Sequence, residues 1–263
     1  MQKIFVWIVL GVLMGNVFIA ISQTTEASEI KNETIDKSVS IDNLVVSEVN
    51  SPINRRLTLF EEDSISPVVI CGDDDVLHMA WIDSRAMDLN SSIIFTSIFY
   101  KQSHDFGKPW TPDTELSTRI TDATSIVLAV DGNYLAIAWE EGNDVFTLFS
   151  YDSGNSWAEP YQINAIESPS IALKGNDVYL VFKTRSQVGV PYLSGKKLTI
   201  SPELQTPVVY DFNPAGNNQI CSIADVTADD SSVHVVIIDQ TNTQLHYYKS
   251  DDNCTTWSGG IIG

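Results

Sequence analysis

Short apolar runs alternate with turn-forming residues along most of the chain. An apolar run is followed by a turn rich in Gly, Asn and Asp, then by a second apolar run, a loop and a third run. The second runs are rich in β-branched and aromatic residues, at Val76–Trp81, Tyr134–Trp139, Val178–Phe182 and Val233–Ile237. Runs of this length and composition between turn residues predict strands. No segment of this region has a convincing helical pattern, so the sequence predicts an all-β fold.

In three of the four units the third run leads into a Ser-x-Asp segment that ends in Trp, and the segment recurs along the chain. The copies begin at Ser103, Ser150 and Ser250, so a further copy is expected near residue 200, where Leu193–Ile200 has lost the Asp and the Trp. Repeats of this period indicate a propeller or an array. The predicted structural residues are Ser103, Asp105, Gly107, Trp110, Ser150, Asp152, Gly154, Trp157, Ser250, Asp252 and Trp257.

The segment has the chemistry of a structural turn. An Asp side chain accepts hydrogen bonds from the backbone of its own turn, and Gly adopts positive φ without strain. The Trp is expected to pack between neighbouring sheets. In the last copy Cys254 replaces the Gly, which predicts a distorted or shifted turn. These aspartates are expected to serve structure and not catalysis.

Four-stranded units repeated in this way predict a β-propeller, with a linear solenoid as the alternative. The blades are expected at residues 57–117, 118–164, 165–210 and 211–263. The fourth blade has no visible last strand. Either residues 56–60 supply it and close a four-bladed ring, or the ring is incomplete, which is the favoured interpretation.

The first 54 residues predict export and a tether. Residues 4–21 are almost wholly apolar after a positively charged start, so residues 1–22 are interpreted as a signal peptide cleaved after Ser22 or as a membrane anchor. Residues 23–54 are polar, lack aromatic residues and predict a flexible tether. Residues 55–263 then form the propeller, and the protein is expected to be secreted or held at the cell surface. Membrane contact is expected only through the N-terminal segment.

The net charge of the chain excludes some classes of binding partner. The net charge is −19 and the isoelectric point about 4.3, which argues against nucleic acid and anionic membrane surfaces. Glycans or extracellular proteins are the expected partners. No metal-ligand spacing is visible and no cofactor is expected, with bound calcium as the alternative. Of the three cysteines, Cys71 lies in an apolar run and is expected to be buried.

The repeats resemble the Asp-box (BNR) repeats of sialidases over about residues 57–260. Trp81-Ile-Asp-Ser-Arg85, Tyr100–Ser103 and Trp110–Leu116 also resemble a wider group of secreted sialidase-like propellers. The resemblance implies a sialidase-like propeller whose site lies on one face. That face is formed by the loops between second and third strands and by the loops from the last strand of one blade to the first strand of the next. Fold alone does not fix the activity.

Sialidase chemistry, as the resemblance implies it, needs three arginines, a tyrosine nucleophile and an acid. The family's first arginine is replaced by Ser64–Pro67, and its late arginine and tyrosine have no visible counterpart. One hypothesis is a non-catalytic glycan- or protein-binding module, and the alternatives are an exo-sialidase or related glycoside hydrolase and a remnant of a larger enzyme. The catalytic candidates are Arg85, Asp88, Arg119 and Arg185, and the binding candidates are Trp81, Asp83, Arg85, Glu140, Arg185 and Asp239.

Overall fold

The computed structural model describes residues 6–10, 19–23, 58, 64–84, 96–120, 123–142, 144–163, 167–185, 191–204, 206–216 and 220–262. In 6–10, 19–23, 118–120, 185 and 191 only the backbone is described. The chain divides into two compact units, residues 1–55 and 56–263. In the first, β1 (Val6–Leu10) pairs antiparallel with β2 (Ile19–Gln23). The predicted tether lies outside the described residues except for Gln23, which ends β2. No helix in the described part of the chain is long and apolar enough to cross a membrane.

The second unit is built from four antiparallel sheets of four strands each. This confirms the predicted all-β fold of four-stranded units. The first sheet contains β3 (Ser64–Cys71), β4 (Leu77–Asp83), β5 (Thr96–Ser103) and β6 (Thr114–Ile120), and the second contains β7 (Ala123–Asp131), β8 (Tyr134–Glu141), β9 (Asp144–Ser150) and β10 (Tyr161–Ile163). The third contains β11 (Glu167–Lys174), β12 (Asp177–Arg185), β13 (Pro191–Thr199) and β14 (Val208–Phe212), and the fourth β15 (Cys221–Ala228), β16 (Val233–Asp239), β17 (Gln244–Ser250) and β18 (Ser258–Ile261).

The sheets pack face to face as successive blades of a propeller. Their first strands contact one another in chain order, β3 with β7, β7 with β11 and β11 with β15. Apolar cores lie between neighbouring blades, and the largest buried side chains include Trp139, Phe149 and Phe182. Within the described residues β15 has no comparable packing on β3. The four blades therefore form an open arc.

Two details differ from the sequence prediction. The fourth blade does have a last strand, because β18 pairs with β17 through Lys249↔Ser258 to His246↔Ile261. Residues 56–60 are thus not needed to complete that sheet, and of them only Thr58 is described. In the third blade, Leu193–Thr199 is part of strand β13 and not a turn. The turn follows it, where the Leu204 N–H donates to the Ser201 carbonyl over 3.0 Å.

The Ser-x-Asp segments form the predicted turns, named the Ser-Asp turns of blades 1, 2 and 4. In blade 2 the Ser150 hydroxyl oxygen accepts from Gly154 N at 2.9 Å. The Asp152 carboxylate accepts from Ser156 N at 2.8 Å and from Ser156 Oγ at 2.6 Å. In blade 1 the residue four after the aspartate is Pro109, which has neither a backbone N–H nor a hydroxyl. Asp105 therefore cannot make these two bonds.

The turn with Cys254 keeps the same hydrogen bonds, so the prediction of a distorted turn is wrong. Cys254 N donates to Ser250 Oγ at 2.9 Å, and Thr256 donates to Asp252 through its N–H at 2.7 Å and its hydroxyl at 2.6 Å. Cys254 adopts φ 69°, close to the 81° of Gly154. The left-handed conformation costs a side-chain-bearing residue about 1–2 kcal/mol, which the turn bonds and the burial of the sulfur offset.

The tryptophans of the second and fourth turns pack between blades, as predicted. Trp157 meets the Tyr100 ring of blade 1 edge-on at 5.1 Å between centroids. Trp257 stacks on Phe212 of blade 3 at 5.3 Å. Trp110 instead packs within its own blade, beside Trp81.

The prediction of a buried Cys71 is wrong, because Cys71 is exposed on the first strand of blade 1. Side chains alternate between the two faces of a strand, so Cys71 lies on the face of β3 opposite to Ile70, which packs towards blade 2. Cys221 is the buried thiol, between blades 3 and 4. Burial raises the pKa of Cys221 to about 11. All three cysteines are free thiols.

Candidate functional site

The predicted site residues lie along the edge of the arc where the second strands of the blades end. Asp83, Glu141, Arg185 and Asp239 are the last residues of β4, β8, β12 and β16. Antiparallel pairing places the starts of β3, β7, β11 and β15 at the same edge. We name this edge the loop face, since the loops between second and third strands leave from it.

In blade 1 the two predicted binding residues are interior. Asp83 is 0% exposed and accepts from Ser64 Oγ at 3.0 Å and from Trp81 Nε1 at 3.0 Å. Trp81 is 1% exposed, stacks on Phe99 and lies 5.1 Å beneath the Lys101 ammonium. At this burial neither side chain offers a surface to a ligand. Both hold the end of the strand in place.

In blade 2 the carboxylates also have structural partners. Glu140 Oε2 accepts from the backbone N–H of Ser168 at 3.1 Å, which links blade 2 to the first strand of blade 3. Ser168 has φ 57°, so this bond supports a backbone conformation that few residues other than glycine adopt. Glu141 Oε2 accepts from Trp139 Nε1 at 3.4 Å. The Trp-x-acid arrangement of blade 1 is thus repeated in blade 2.

Asp239 at the end of β16 and Glu167 at the start of β11 also have partners within the protein. Asp239 accepts from Thr241 N at 2.8 Å and from Asn242 Nδ2 at 3.2 Å. The Thr241 N–H and these side-chain bonds hold the pKa of Asp239 below its usual value despite partial burial. Glu167 lies 3.6 Å from the Lys183 ammonium. These described acids of the loop face are therefore engaged in holding strand ends.

The structure does not describe the side chains of the four predicted catalytic residues. Arg85 and Asp88 lie outside the described residues, and Arg119 and Arg185 are described by backbone only, in β6 and β12. Their catalytic roles stay predictions. The described residues contain no group of three or more His, Cys, Asp or Glu placed to hold a metal ion.

A groove of about 340 Å³ opens on blade 3. It is built across β12, β13 and β14, whose register sets Thr184 beside Tyr192, Phe182 beside Ser194 and Lys196 beside Asp211. Phe182 and Phe212, 2% and 7% exposed, are its most buried members. The lining residues are Phe182, Thr184, Tyr192, Ser194, Lys196, Asp211, Phe212 and Asn213.

Charge in the groove is paired. The Lys196 ammonium donates to the Asp211 carboxylate, and Asn213 Nδ2 donates to the Leu193 carbonyl at 3.2 Å. No sequence pattern indicated this groove, because its residues come from three separate strands of the blade that lacks a Ser-Asp turn.

Comparisons with known proteins find likeness in structure only. No protein-family model and no curated protein matches the sequence. Among solved structures, NanB sialidase from Streptococcus pneumoniae is 9% identical with a TM-score of 0.46, covering 73% of this chain and 48% of that one. The intramolecular trans-sialidase from Ruminococcus gnavus is 14% identical with a TM-score of 0.44, covering 76% and 43%.

A further similar structure is a GH43 β-xylosidase/α-arabinofuranosidase from a compost microbial metagenome. It is 9% identical with a TM-score of 0.39, covering 77% of this chain and 78% of that one. The chain spans less than half of the length of the two sialidases. The fold itself is established by the chain's own geometry, which is that of a β-propeller of four antiparallel blades.

Proposed function

We propose that this protein is a non-catalytic glycan-binding propeller that acts outside the cell and binds neutral sugars in the groove of blade 3. The observation that carries the proposal is the lining of the groove, which combines aromatic rings with hydroxyl and amide groups and one internal ion pair. The extracellular location rests on the apolar N-terminal segment.

The lining suits the two kinds of surface that a sugar presents. An aromatic ring is flat and apolar, so the Tyr192 ring can pack on the C–H face of a pyranose. Hydroxyl and amide groups donate and accept hydrogen bonds, so Thr184, Ser194 and Asn213 can bond to sugar hydroxyls. The lining is mainly polar, with Phe182 and Phe212 almost fully buried beneath it, and so offers hydrogen-bonding groups more than apolar surface.

The charges favour a neutral ligand. The Lys196 ammonium already faces the Asp211 carboxylate, so a sugar carboxylate would have to compete with that pair. The chain as a whole carries −19, and a field of that sign repels an anionic ligand.

The same geometry supports binding without hydrolysis. Glycoside hydrolases use two carboxyl groups, roughly 5–5.5 or 6.5–9.5 Å apart. The described lining of the groove contains one, Asp211, and it is paired with a lysine. The acids of the loop face already accept hydrogen bonds from the protein. The exo-sialidase alternative depends on Arg85, Asp88, Arg119 and Arg185 and would show itself as turnover of an aryl sialoside.

The test is calorimetric titration of the full chain with neutral oligosaccharides, beside two matched tyrosine variants. Tyr192→Ala removes the groove ring and is expected to weaken binding at least about tenfold, or about 1.4 kcal/mol. Tyr210→Ala removes a tyrosine of the same sheet that is 58% exposed and does not line the groove, and should bind as the native chain does. Equal losses in both variants, or binding to sialosides alone, would refute the proposal.

A further inference from the structure

The Ser-Asp turn of blade 4 contains the sequence Asn253-Cys254-Thr255, which fits the Asn-x-Ser/Thr pattern of N-glycosylation acceptors. The chain fits this pattern at two other places, Asn32 and Asn90, and both lie outside the described residues. The pattern is short, and an acceptor also has to lie in a surface loop of an exported protein. The surroundings of Asn253 therefore decide whether it can carry a glycan.

The backbone of the turn suits an exposed asparagine. Asn253 lies directly after Asp252 and is exposed. Its φ is 60°, and the residue in the same place in the blade 2 turn, Ser153, has φ 56°. Asparagine adopts this left-handed conformation more readily than most residues with a side chain. The turn therefore presents Asn253 to solvent in a conformation that asparagine tolerates.

The side-chain amide of Asn253 is held at its oxygen. Oδ1 accepts a hydrogen bond from Tyr179 Oη of blade 3 at 3.1 Å, and Tyr179 is 6% exposed. Within the described residues, Asn253 Nδ2 donates no hydrogen bond. The buried tyrosine thus fixes the oxygen towards blade 3 and leaves the nitrogen, which is the atom that carries an N-linked glycan, as the free end of the amide.

The turn of blade 2 contains an exposed asparagine that lacks both features. Asn155 Nδ2 donates to the Asp152 carbonyl at 2.6 Å, so its nitrogen already has a partner. The second residue after Asn155 is Trp157, which has no hydroxyl group and does not fit the pattern. Asn155 is therefore a natural control for Asn253 within the same chain.

A glycan on Asn253 would lie away from both the loop face and the groove. Ser250, at the start of the turn, pairs with Val233 at the beginning of β16, whereas Asp239 at the end of β16 lies on the loop face. Six residue steps along this strand separate the two edges by about 20 Å. Tyr179 and Phe182 point to opposite faces of β12, because side chains alternate along a strand. Asn253 therefore contacts the face of blade 3 opposite to the groove residue Phe182.

We propose that Asn253 is an N-glycosylation site that carries an oligosaccharide on its Nδ2. The inference rests on the extracellular location in the proposed function, because N-glycosylation acts on chains that cross a membrane. It does not depend on what the groove of blade 3 binds. The two proposals can therefore fail separately.

The step is a transfer from an oligosaccharide carried on a polyprenyl diphosphate. Asn253 Nδ2 forms a bond to the anomeric carbon of the first sugar. The bond from that carbon to the diphosphate oxygen breaks, the diphosphate leaves with the electron pair, and Nδ2 gives up one of its two protons. Oδ1 is unchanged in the product, so the hydrogen bond from Tyr179 is retained.

The test is peptide mapping by mass spectrometry of the full chain, purified from the cells that produce it naturally. Trypsin cleaves after Lys249, and residues 250–263 contain no Lys or Arg and no asparagine besides Asn253. The peptide that begins at Ser250 should be heavier by a whole number of sugar residues, and the peptide with Asn155 should be unmodified. An unmodified Asn253 in chain recovered outside the cells overturns the glycosylation site alone. Recovery of the native chain only inside the cells overturns the location on which both proposals rest.

Two substitutions of Thr255, made in the same cells, separate the modification from folding. Thr255→Ser keeps the hydroxyl group that the pattern requires and should keep the glycan. Thr255→Ala should lose the glycan completely, although it leaves Asn253 and its bond from Tyr179 in place. Thr255→Ala also loses the 2.8 Å hydrogen bond to the Asp252 carbonyl, so circular dichroism checks that it folds.

Both variants should bind neutral oligosaccharides as the native chain does, because the glycan lies away from the groove. A glycan that persists on Asn253 in Thr255→Ala, or one that is lost in Thr255→Ser, would overturn the proposal that Asn253 is modified through this pattern.

Discussion

Replacing Gly154 by alanine probes the contact on which the blade arrangement depends. Gly154 sits in the Ser-Asp turn of blade 2 with φ +81° and faces Tyr100 of blade 1. A methyl group there would lie 2.0 Å from the tyrosine oxygen and 2.6 Å from the ring carbon that bears it. The ring cannot remain where it is, and its movement breaks the 2.6 Å contact with His78 Nδ1.

Three effects add in this variant. The left-handed backbone costs alanine about 1–2 kcal/mol. Displacing a side chain in a packed interior costs about 1–3 kcal/mol. Loss of one buried hydrogen bond costs about 0.5–1.5 kcal/mol. Gly154→Ala should therefore lower the free energy of unfolding by about 3–6 kcal/mol, a large part of the roughly 5–15 kcal/mol of a typical domain.

Gly107→Ala in blade 1 is the matched control. Gly107 has φ +85°, but its nearest neighbour to an added Cβ is Trp110 Nε1 at 3.5 Å, an ordinary contact. Only the backbone cost of about 1–2 kcal/mol should remain. Urea unfolding followed by tryptophan fluorescence gives both values. Equal losses in the two variants would refute the reasoning that Gly154 is required by the blade interface.

Three further predictions concern the cysteines, the turns and pH. In the native protein at pH 8, iodoacetamide should modify the exposed Cys71 quickly and spare Cys221 and Cys254. Burial raises the pKa of Cys221 to about 11 and that of Cys254 to about 12, so both stay protonated. Equal modification of all three cysteines, measured by mass spectrometry, would contradict this prediction. Asp152→Asn should lower the melting temperature more than Asp105→Asn. Of these two aspartates, only Asp152 accepts hydrogen bonds from the residue four positions later, Ser156, whereas Asp105 is followed there by Pro109. Similar shifts in melting temperature would argue against the role given to Pro109. Hydrogen bonds from Thr256 lower the pKa of Asp252 from 3.8, and the Thr241 N–H lowers that of Asp239. Their stabilising contribution is therefore complete above the ordinary carboxyl pKa and is lost as the pH falls through the lower folded values. Urea midpoints should be flat above about pH 5 and fall below about pH 4, with a smaller fall in Asp252→Asn, and an unchanged pH profile in that variant would contradict the assignment.

The strand and turn positions were predictable because they rest on local chemistry. Apolar runs broken by Gly, Asn and Asp marked the first two strands of every blade and the third strand of blades 1, 2 and 4, and the Ser-x-Asp spacing marked three turns. These signals need no knowledge of distant residues.

The features that the sequence did not predict depend on contacts between residues that are far apart in the chain. Strand β18 has the sequence Ser-Gly-Gly-Ile, which lacks β propensity. Its glycine is required by a neighbour, because a Cβ on Gly259 would lie 2.0 Å from the Tyr247 carbonyl oxygen. Cys71 follows Ile70 in one apolar run, but neighbouring side chains point to opposite faces of a strand, and Ile70 takes the face that packs on blade 2 while Cys71 is exposed. The groove of blade 3 exists only because β12, β13 and β14 bring its residues together.

The central claim, that this propeller binds a neutral glycan without cleaving it, is tested most directly by recovering the ligand. The full chain is titrated with the neutral oligosaccharide that binds best, held at saturation for a day, and the sugar is analysed by mass spectrometry. The account predicts a saturable isotherm that Tyr192→Ala weakens and Tyr210→Ala does not, with the oligosaccharide recovered intact. Release of shorter sugars in proportion to protein concentration would contradict it and make the protein a glycoside hydrolase.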